Sequence, residues 1–254
     1  MTHNPKHSVQ LTDYTEFFGI ARWRAWTPGI SDSQDWQRWI EGRLAPAPDD
    51  QPDVSYLPGL LRRRLDRPGR MALHTAWPCV EGLDSVQLVF ASRHGALHRT
   101  VDMLTALAND EVLSPTLFSL AVHNSTAGLF SIARGDRSAA TAMAAGLDTL
   151  ALSILEGANM VSEGAPNVLV TYTDDIAPEP YREHIADPAT LPFAISLLLT
   201  PATDASLRCR LGRDSGPTPE QAPETALMRF LLEDTAQVVL GASQNWQLER
   251  AHAG

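Results

Sequence analysis

The sequence predicts an α/β fold: one central, mostly parallel sheet flanked by helices. Two apolar runs, residues 85–92 (SVQLVFAS) and 167–173, have the character of buried strands. Helical spacing fills residues 96–108 and 147–163, so strand and helix patterns alternate. Between residues 139–143 and the second helix lies TAMAAG (141–146), a turn of small residues that joins strand to helix sharply. Strands separated by helices need crossover connections, which make neighbouring strands parallel.

Residues 17–26 (FFGIARWRAW) alternate well enough to form a first strand. A helix follows in SDSQDWQRWIEGR, capped by Asp32 or Ser33, with Trp36, Trp39 and Ile40 on one face. Residues 45–53 (APAPDDQPD) read as an exposed loop, LPGLLRRRL as a short helix and PGRMALHTAWPCVEG as another that starts at Pro68. Residues 116–135 are mostly helical, with breaks expected at Asn124 and Gly128. The proline- and charge-rich residues 174–190 read as loop. Strands at 194–200 and 206–211 are expected to form a terminal hairpin, and a polar loop (GRDSGPTPEQAPE) then precedes a last helix over 225–233. The whole chain, 1–254, is expected to be one domain.

A chain of 254 residues with 44% hydrophobic and 20% charged residues can bury a substantial core. The net charge of −10 argues against a dedicated nucleic-acid binder, which needs a dominant basic face. The two cysteines, Cys79 and Cys209, lack any metal or redox spacing and fit a reducing compartment. The first residues hold no apolar segment of the kind that directs export, and the longest apolar run, LPFAISLLLT, is far short of the roughly 20 residues a membrane span requires. A cytoplasmic protein with no membrane span is expected.

No motif for phosphate, dinucleotide, zinc or serine-nucleophile chemistry occurs, and no cofactor is expected. His94 and His98 stand four apart but have no third ligand nearby, so surface or capping roles account for them better than a metal. Asp174 and Asp175 read as solvated carboxylates at a strand end. The arginines Arg62, Arg63, Arg64, Arg67 and Arg70 fit either a solvated face paired with local carboxylates or a docking surface for an acidic protein or a phosphate. Tryptophans 23, 26, 36 and 39 read as core or interface. A strand-to-helix elbow commonly displays a nucleophile at a helix N-terminus, but this one presents Met143, whose thioether has no proton to lose. Thr141 has no histidine placed to activate it, and its register is expected to turn it away from Met143.

The segment SPTLFSLAVHNSTAGLFSIARG (114–135) followed by TAMAAG resembles the β-ketoacyl synthases of the thiolase superfamily. Ser114, Pro115, Asn124, Ala127, Gly128 and Gly135 keep that family's order and similar spacing, with a shortened link to the elbow. Aligning the elbow puts Met143 where the acyl-accepting cysteine would stand. ARWRAWTPGISDSQDWQRW and LPGLLRRRLDRPGRMAL further resemble the short chain-length-factor-like homologues of aryl polyene pathways, such as those making xanthomonadin-type pigments. The resemblance covers about residues 18–172 and is weaker beyond.

The resemblance implies a thiolase-like half fold, ending in a hairpin and helix, that does not condense acyl groups itself. It lacks the cysteine, and the chain stops before the half in which two active-site histidines would be expected. It further implies a heterodimer with a complete ketosynthase subunit, with acyl carrier protein as a second partner. Thr116, Leu117, Phe118, Asn124 and Met143 would stand at the partner's acyl tunnel, Leu117 making the main contact. Arg62, Arg63, Arg64 and Arg67 are the candidates for carrier docking. An acyl-thioester decarboxylase or hydrolase, and a free-standing carrier-binding scaffold, remain alternatives.

Overall fold

The computed structural model describes residues 15, 17–47, 50–185, 191–214, 221–241 and 244–251. The first strand, β1 (Phe18–Trp26), leads into α1 (Ser33–Ile40), where Asp32 Oδ1 accepts the Asp35 N–H at 2.8 Å and caps the first turn. Trp36 anchors this helix, being fully buried and donating Nε1–H to the Ala25 carbonyl at 3.3 Å. After α2 (Gly59–Arg62), Asp66 caps α3 (Arg67–Cys79) by accepting the Gly69 N–H, and Pro68 sits in the first turn where its missing N–H is harmless.

Next come β2 (Gln87–Ala91), α4 (Leu97–Ala108), α5 (Pro115–Leu120), α6 (Ser125–Arg134), β3 (Ala140–Met143), α7 (Thr149–Ser162) and β4 (Val168–Asp174). The helical break falls at residues 121–124. Gly128 lies inside α6, which ends at Gly135 with φ 67°. The remaining elements are α8 (Glu179–Arg182), β5 (Phe193–Pro201), β6 (Leu207–Asp214), α9 (Pro223–Leu232), β7 (Gln237–Val239) and β8 (Asn245–Arg250). The expected loops over 174–190 and 212–224 lie partly outside the described residues, and the N-terminal segment read for an export signal lies wholly outside them.

All described strands join one sheet in the order β3-β2-β4-β5-β1-β6-β8-β7. Alternation splits its two faces. Val89, Val170 and Leu197 meet α7 in one core, to which α1 and α9 also contribute; Leu88, Phe90 and Leu169 meet α3 and α6 in the other. Gly157 lets α7 approach closely: a Cβ there would lie 2.4 Å from Val170 Cγ2.

The α/β class holds, but parallel pairing is confined to β3-β2-β4 and every other pairing is antiparallel. The reason is strand order: β5 returns antiparallel beside β4 and separates it from β1, so β1, which runs in the direction of β2 and β4, pairs only with the antiparallel strands β5 and β6.

The expected hairpin of β5 with β6 is also corrected, because β1 lies between them and pairs antiparallel with both. The five residues between β5 and β6 therefore step across β1. They do so over Gly19, where a Cβ would lie 2.5 Å from Ala205 Cβ and 3.1 Å from the Pro201 carbonyl. The hairpin that does close the chain is β7-β8, which the sequence reading did not find.

Candidate functional site

Helices that run antiparallel to parallel strands bring their N-termini to the strands' C-terminal ends, where α/β proteins place their ligands. Here those ends belong to β2, β3 and β4, and Met143 closes β3. The elbow beyond it turns through Gly146 (φ 57°). Thr149 Oγ1 clasps the turn, donating to the Gly146 carbonyl at 2.7 Å and accepting the Ala145 N–H at 2.9 Å. The Met143 side chain is half-buried against the core beneath α7. Thr141 shares its face, since the two stand two apart in one strand; this corrects the expectation that they diverge.

Neither cysteine can substitute for the absent thiol. Cys79 in α3 and Cys209 in β6 are buried, and burial pushes each thiol up to about 12.

β3 is an edge strand. The Leu88 N–H bonds the Ala139 carbonyl at 2.9 Å and the Ser92 N–H bonds the Met143 carbonyl at 3.2 Å. By alternation the N–H and C=O groups of Ala140 and Ala142 point away from β2, along the outer edge. Beside this edge strand in sequence stands an arm of low burial: neither α4 nor α5 has a buried residue. Leu104, Leu107, Val112, Leu117, Phe118 and Val122 on this arm are 47–98% exposed, Leu117 at 50% and Phe118 at 64%. A soluble monomer rarely shows so concentrated an apolar stretch. Thr116, Leu117 and Phe118 thus lie on α5, facing solvent. Asn124 precedes α6 without capping it through its side chain.

The structure divides the arginine cluster. Arg67 pairs with Asp175 at 3.6 Å, Arg70 donates to the Arg62 carbonyl, and Arg62 is half-buried beside Asp53. Arg63 and Arg64 are exposed, next to Leu60, itself 73% exposed.

Asp174 is no solvated loop residue. β4 continues through it, it is 3% exposed, and Arg93 Nε lies 3.4 Å from its Oδ2. Burial raises its carboxyl to about 7 against the opposing pull of Arg93, and the nearby Glu224 and Asp175 carboxylates push the same way as burial. Asp175 is also raised, by burial first, with Arg67 lowering it. Glu224 in α9 accepts from the Tyr172 hydroxyl at 2.9 Å, so this buried polar group ties β4 to a distant helix. Its sequence signal was faint: an acidic pair directly after an apolar strand.

The folded state holds the Asp174 proton over a pH range where the unfolded chain, titrating near 3.8, has lost it. Stability from this group is therefore greatest on the acid side and declines as pH rises from about 4 to about 7. Relative to Asp174→Asn, which cannot ionise, wild type should lose roughly 2–4 kcal/mol between pH 4 and 8. Urea denaturation of both proteins across that range measures the difference, and parallel stability curves would refute it.

His98 Nε2 lies 2.7 Å from the Ile176 carbonyl, and burial, then Arg93, lower the pKa of His94. Among the described residues no group of three histidine, cysteine or acidic side chains is arranged to hold a metal ion, and no helix is long and apolar enough to cross a membrane.

The profile described as "Beta-ketoacyl synthase, N-terminal domain" matches residues 36–250. No curated protein matches the chain. A chain from the complex of a ketosynthase (ApeO) with its chain length factor (ApeC) from Xenorhabdus doucetiae is 26% identical, with a TM-score of 0.79 over 92% of this chain and 99% of that one. The ishigamide ketosynthase/chain length factor is 17% identical with a TM-score of 0.59, over 74% of this chain and 63% of that one. A β-ketoacyl synthase from Burkholderia phymatum STM815 is 12% identical with a TM-score of 0.61, over 86% and 71%. The last two likenesses concern the fold alone.

Proposed function

This chain belongs to the β-ketoacyl synthase family through its N-terminal domain, and from that premise we propose that it is the non-catalytic, chain-length-factor-like partner of a cysteine-bearing ketosynthase. One observation carries the reading: the elbow that should present a thiolate ends β3 in Met143, on a strand whose outer edge is unpaired among the described residues. A thioether cannot accept an acyl group and release it as a thiol does. What the strand offers instead is a row of backbone donors and acceptors, suited to a second sheet.

The exposed arm supports the same partner. Leu117 and Phe118 on α5 have no core of their own to fill, and a neighbouring subunit would bury them. In this reading Thr116, Leu117, Phe118, Asn124 and Met143 border the partner's acyl tunnel, and Leu117 limits the length of the growing chain. The system is of type II polyketide or fatty-acid-like character, and the product an aryl polyene pigment. The complex of ApeO with its chain length factor supports the pairing by analogy. Co-expression with a cysteine-bearing ketosynthase and size-exclusion chromatography tests it: the two should co-elute as a heterodimer. Separate elution, with this chain alone turning over a malonyl or acyl thioester, would favour the decarboxylase or hydrolase alternative.

Acyl carrier protein is the second proposed partner, and the exposed, unengaged positions of Arg63 and Arg64 favour these two over Arg67. Reversing both to glutamate should weaken carrier binding by about tenfold at low salt, with the difference shrinking as ionic strength rises. Titration calorimetry at two salt concentrations checks this; binding indifferent to both charge and salt would remove the arginines from the docking surface.

A further inference from the structure

Three helix N-termini converge on one cleft at the C-terminal ends of β2 and β4, on the face of the sheet covered by α3 and α6. Phe90 lines it from β2, Gly95 and Ala96 from the start of α4, Ser125 and Thr126 from the start of α6, and Thr173 from β4. Neither α4 nor α6 has a side-chain cap, so first-turn N–H groups of both remain without the side-chain oxygen that usually satisfies them. An independent observation points to the same place. Thr173 is 5% exposed, lines the cleft, and its Oγ1 has no hydrogen-bond partner among the described residues. A buried hydroxyl left without a partner is costly, and its neighbours here are donors that favour negative charge.

The third helix, α3, begins at the same cleft, but Asp66 caps it. That carboxylate also lines the cleft and would oppose an anion if it were free. It is not: Oδ1 accepts the Gly69 N–H at 2.9 Å, and Oδ2 lies 3.0 Å from Arg99 Nε. Arg99 keeps Nη1 without a hydrogen-bond partner. His123, also in the lining, donates Nε2–H to the Ser92 carbonyl at 2.9 Å and so is held in place.

We propose that this cleft binds an oxyanion, a phosphate or carboxylate group, held by the uncapped first turns of α4 and α6 and by the Thr173 hydroxyl. The site shares the start of α4 and Val122 with the arm but no residue with the β3 edge, and its test on the chain alone does not depend on pairing with a ketosynthase. Helix N-termini supply partial positive charge that strengthens as two of them meet on one group.

The test is titration of the full chain with inorganic phosphate and, separately, with malonate, at ionic strength held constant with sodium chloride, followed by amide chemical shifts. Saturable shifts confined to residues 97–99 and 126–127 are expected. A response to phosphate alone assigns the site to a phosphate group, and a response to malonate alone assigns it to a carboxylate. Thr173→Val, which removes the hydroxyl and keeps the shape, should weaken the dissociation constant by about tenfold. Thr173→Ser should restore it. Thr126→Pro, which deletes one N–H where a first helical turn tolerates proline, should weaken binding independently. An orphan hydroxyl with no ligand predicts something different: Thr173→Val would raise the melting temperature, and neither anion would produce a saturable shift. That outcome, or equal affinity in wild type and Thr173→Val, overturns the proposal.

Discussion

Ala142→Pro should abolish assembly with the ketosynthase while leaving this chain folded. The bonds that tie β3 to β2 use the carbonyls of Ala139 and Met143, so the Ala142 N–H faces outward and its loss breaks no internal bond. Proline is tolerated on an edge strand in that position, and it blocks a strand from docking there. A pairing strand would lose a donor and meet the pyrrolidine ring, a penalty of about 3 kcal/mol or roughly 100-fold in affinity. Size-exclusion chromatography of the co-expressed pair reads the assembly, and thermal denaturation of the variant alone reads its fold. Thr141→Pro is the contrasting change, because that N–H faces β2 and its removal should destabilise the chain itself. Co-elution undiminished by Ala142→Pro would mean the partner does not dock on β3.

The second large effect concerns product length. Leu117→Ala should shift the ketosynthase toward longer acyl chains. Leu117 is half exposed and touches no core, so truncation should change the stability of the chain by less than about 0.5 kcal/mol. Any effect therefore arises in the complex. Forcing an extra group into a filled tunnel costs about 1 to 3 kcal/mol, so relief of that crowding should raise the share of the next longer product by about 5- to 150-fold. Mass spectrometry of products from the reconstituted pair measures the share. Phe118→Ala is the internal comparison: an effect confined to Phe118 moves the contact by one residue along α5, and an unaltered distribution in both variants removes the arm from chain-length control.

The elements that the sequence revealed are those whose cause is local. Asp32 and Pro68 announce α1 and α3 because a capping carboxylate and a first-turn proline each act within their own helical turn. SVQLVFAS announces β2 because burial on both faces leaves no room for polar side chains. The failures have distant causes. β5 and β6 were each recognisable, but that β1 would separate them depends on a pairing made across most of the chain. Gly19 is the local trace of that crossing, and its meaning appears only once Ala205 is seen against it. β7 and β8 are short and carry polar residues on an open face, so their pattern is weak. At the candidate site, the strand-to-helix elbow at Met143 was legible in its small residues, whereas the exposure of Leu117 and Phe118 appears only in the structure. The burial of Asp174 could not, because Arg93 and Glu224, which surround it, come from separate elements.

The position of β1 between β5 and β6 also bears on how the molecule is made. β1 leaves the ribosome long before β5 and β6, the strands that flank it, with its row of tryptophan- and arginine-bearing residues unpaired in the meantime. Native structure around β1 therefore forms only after synthesis has passed β6, and a ribosome stalled before that point holds a nascent chain whose sheet is open at its centre.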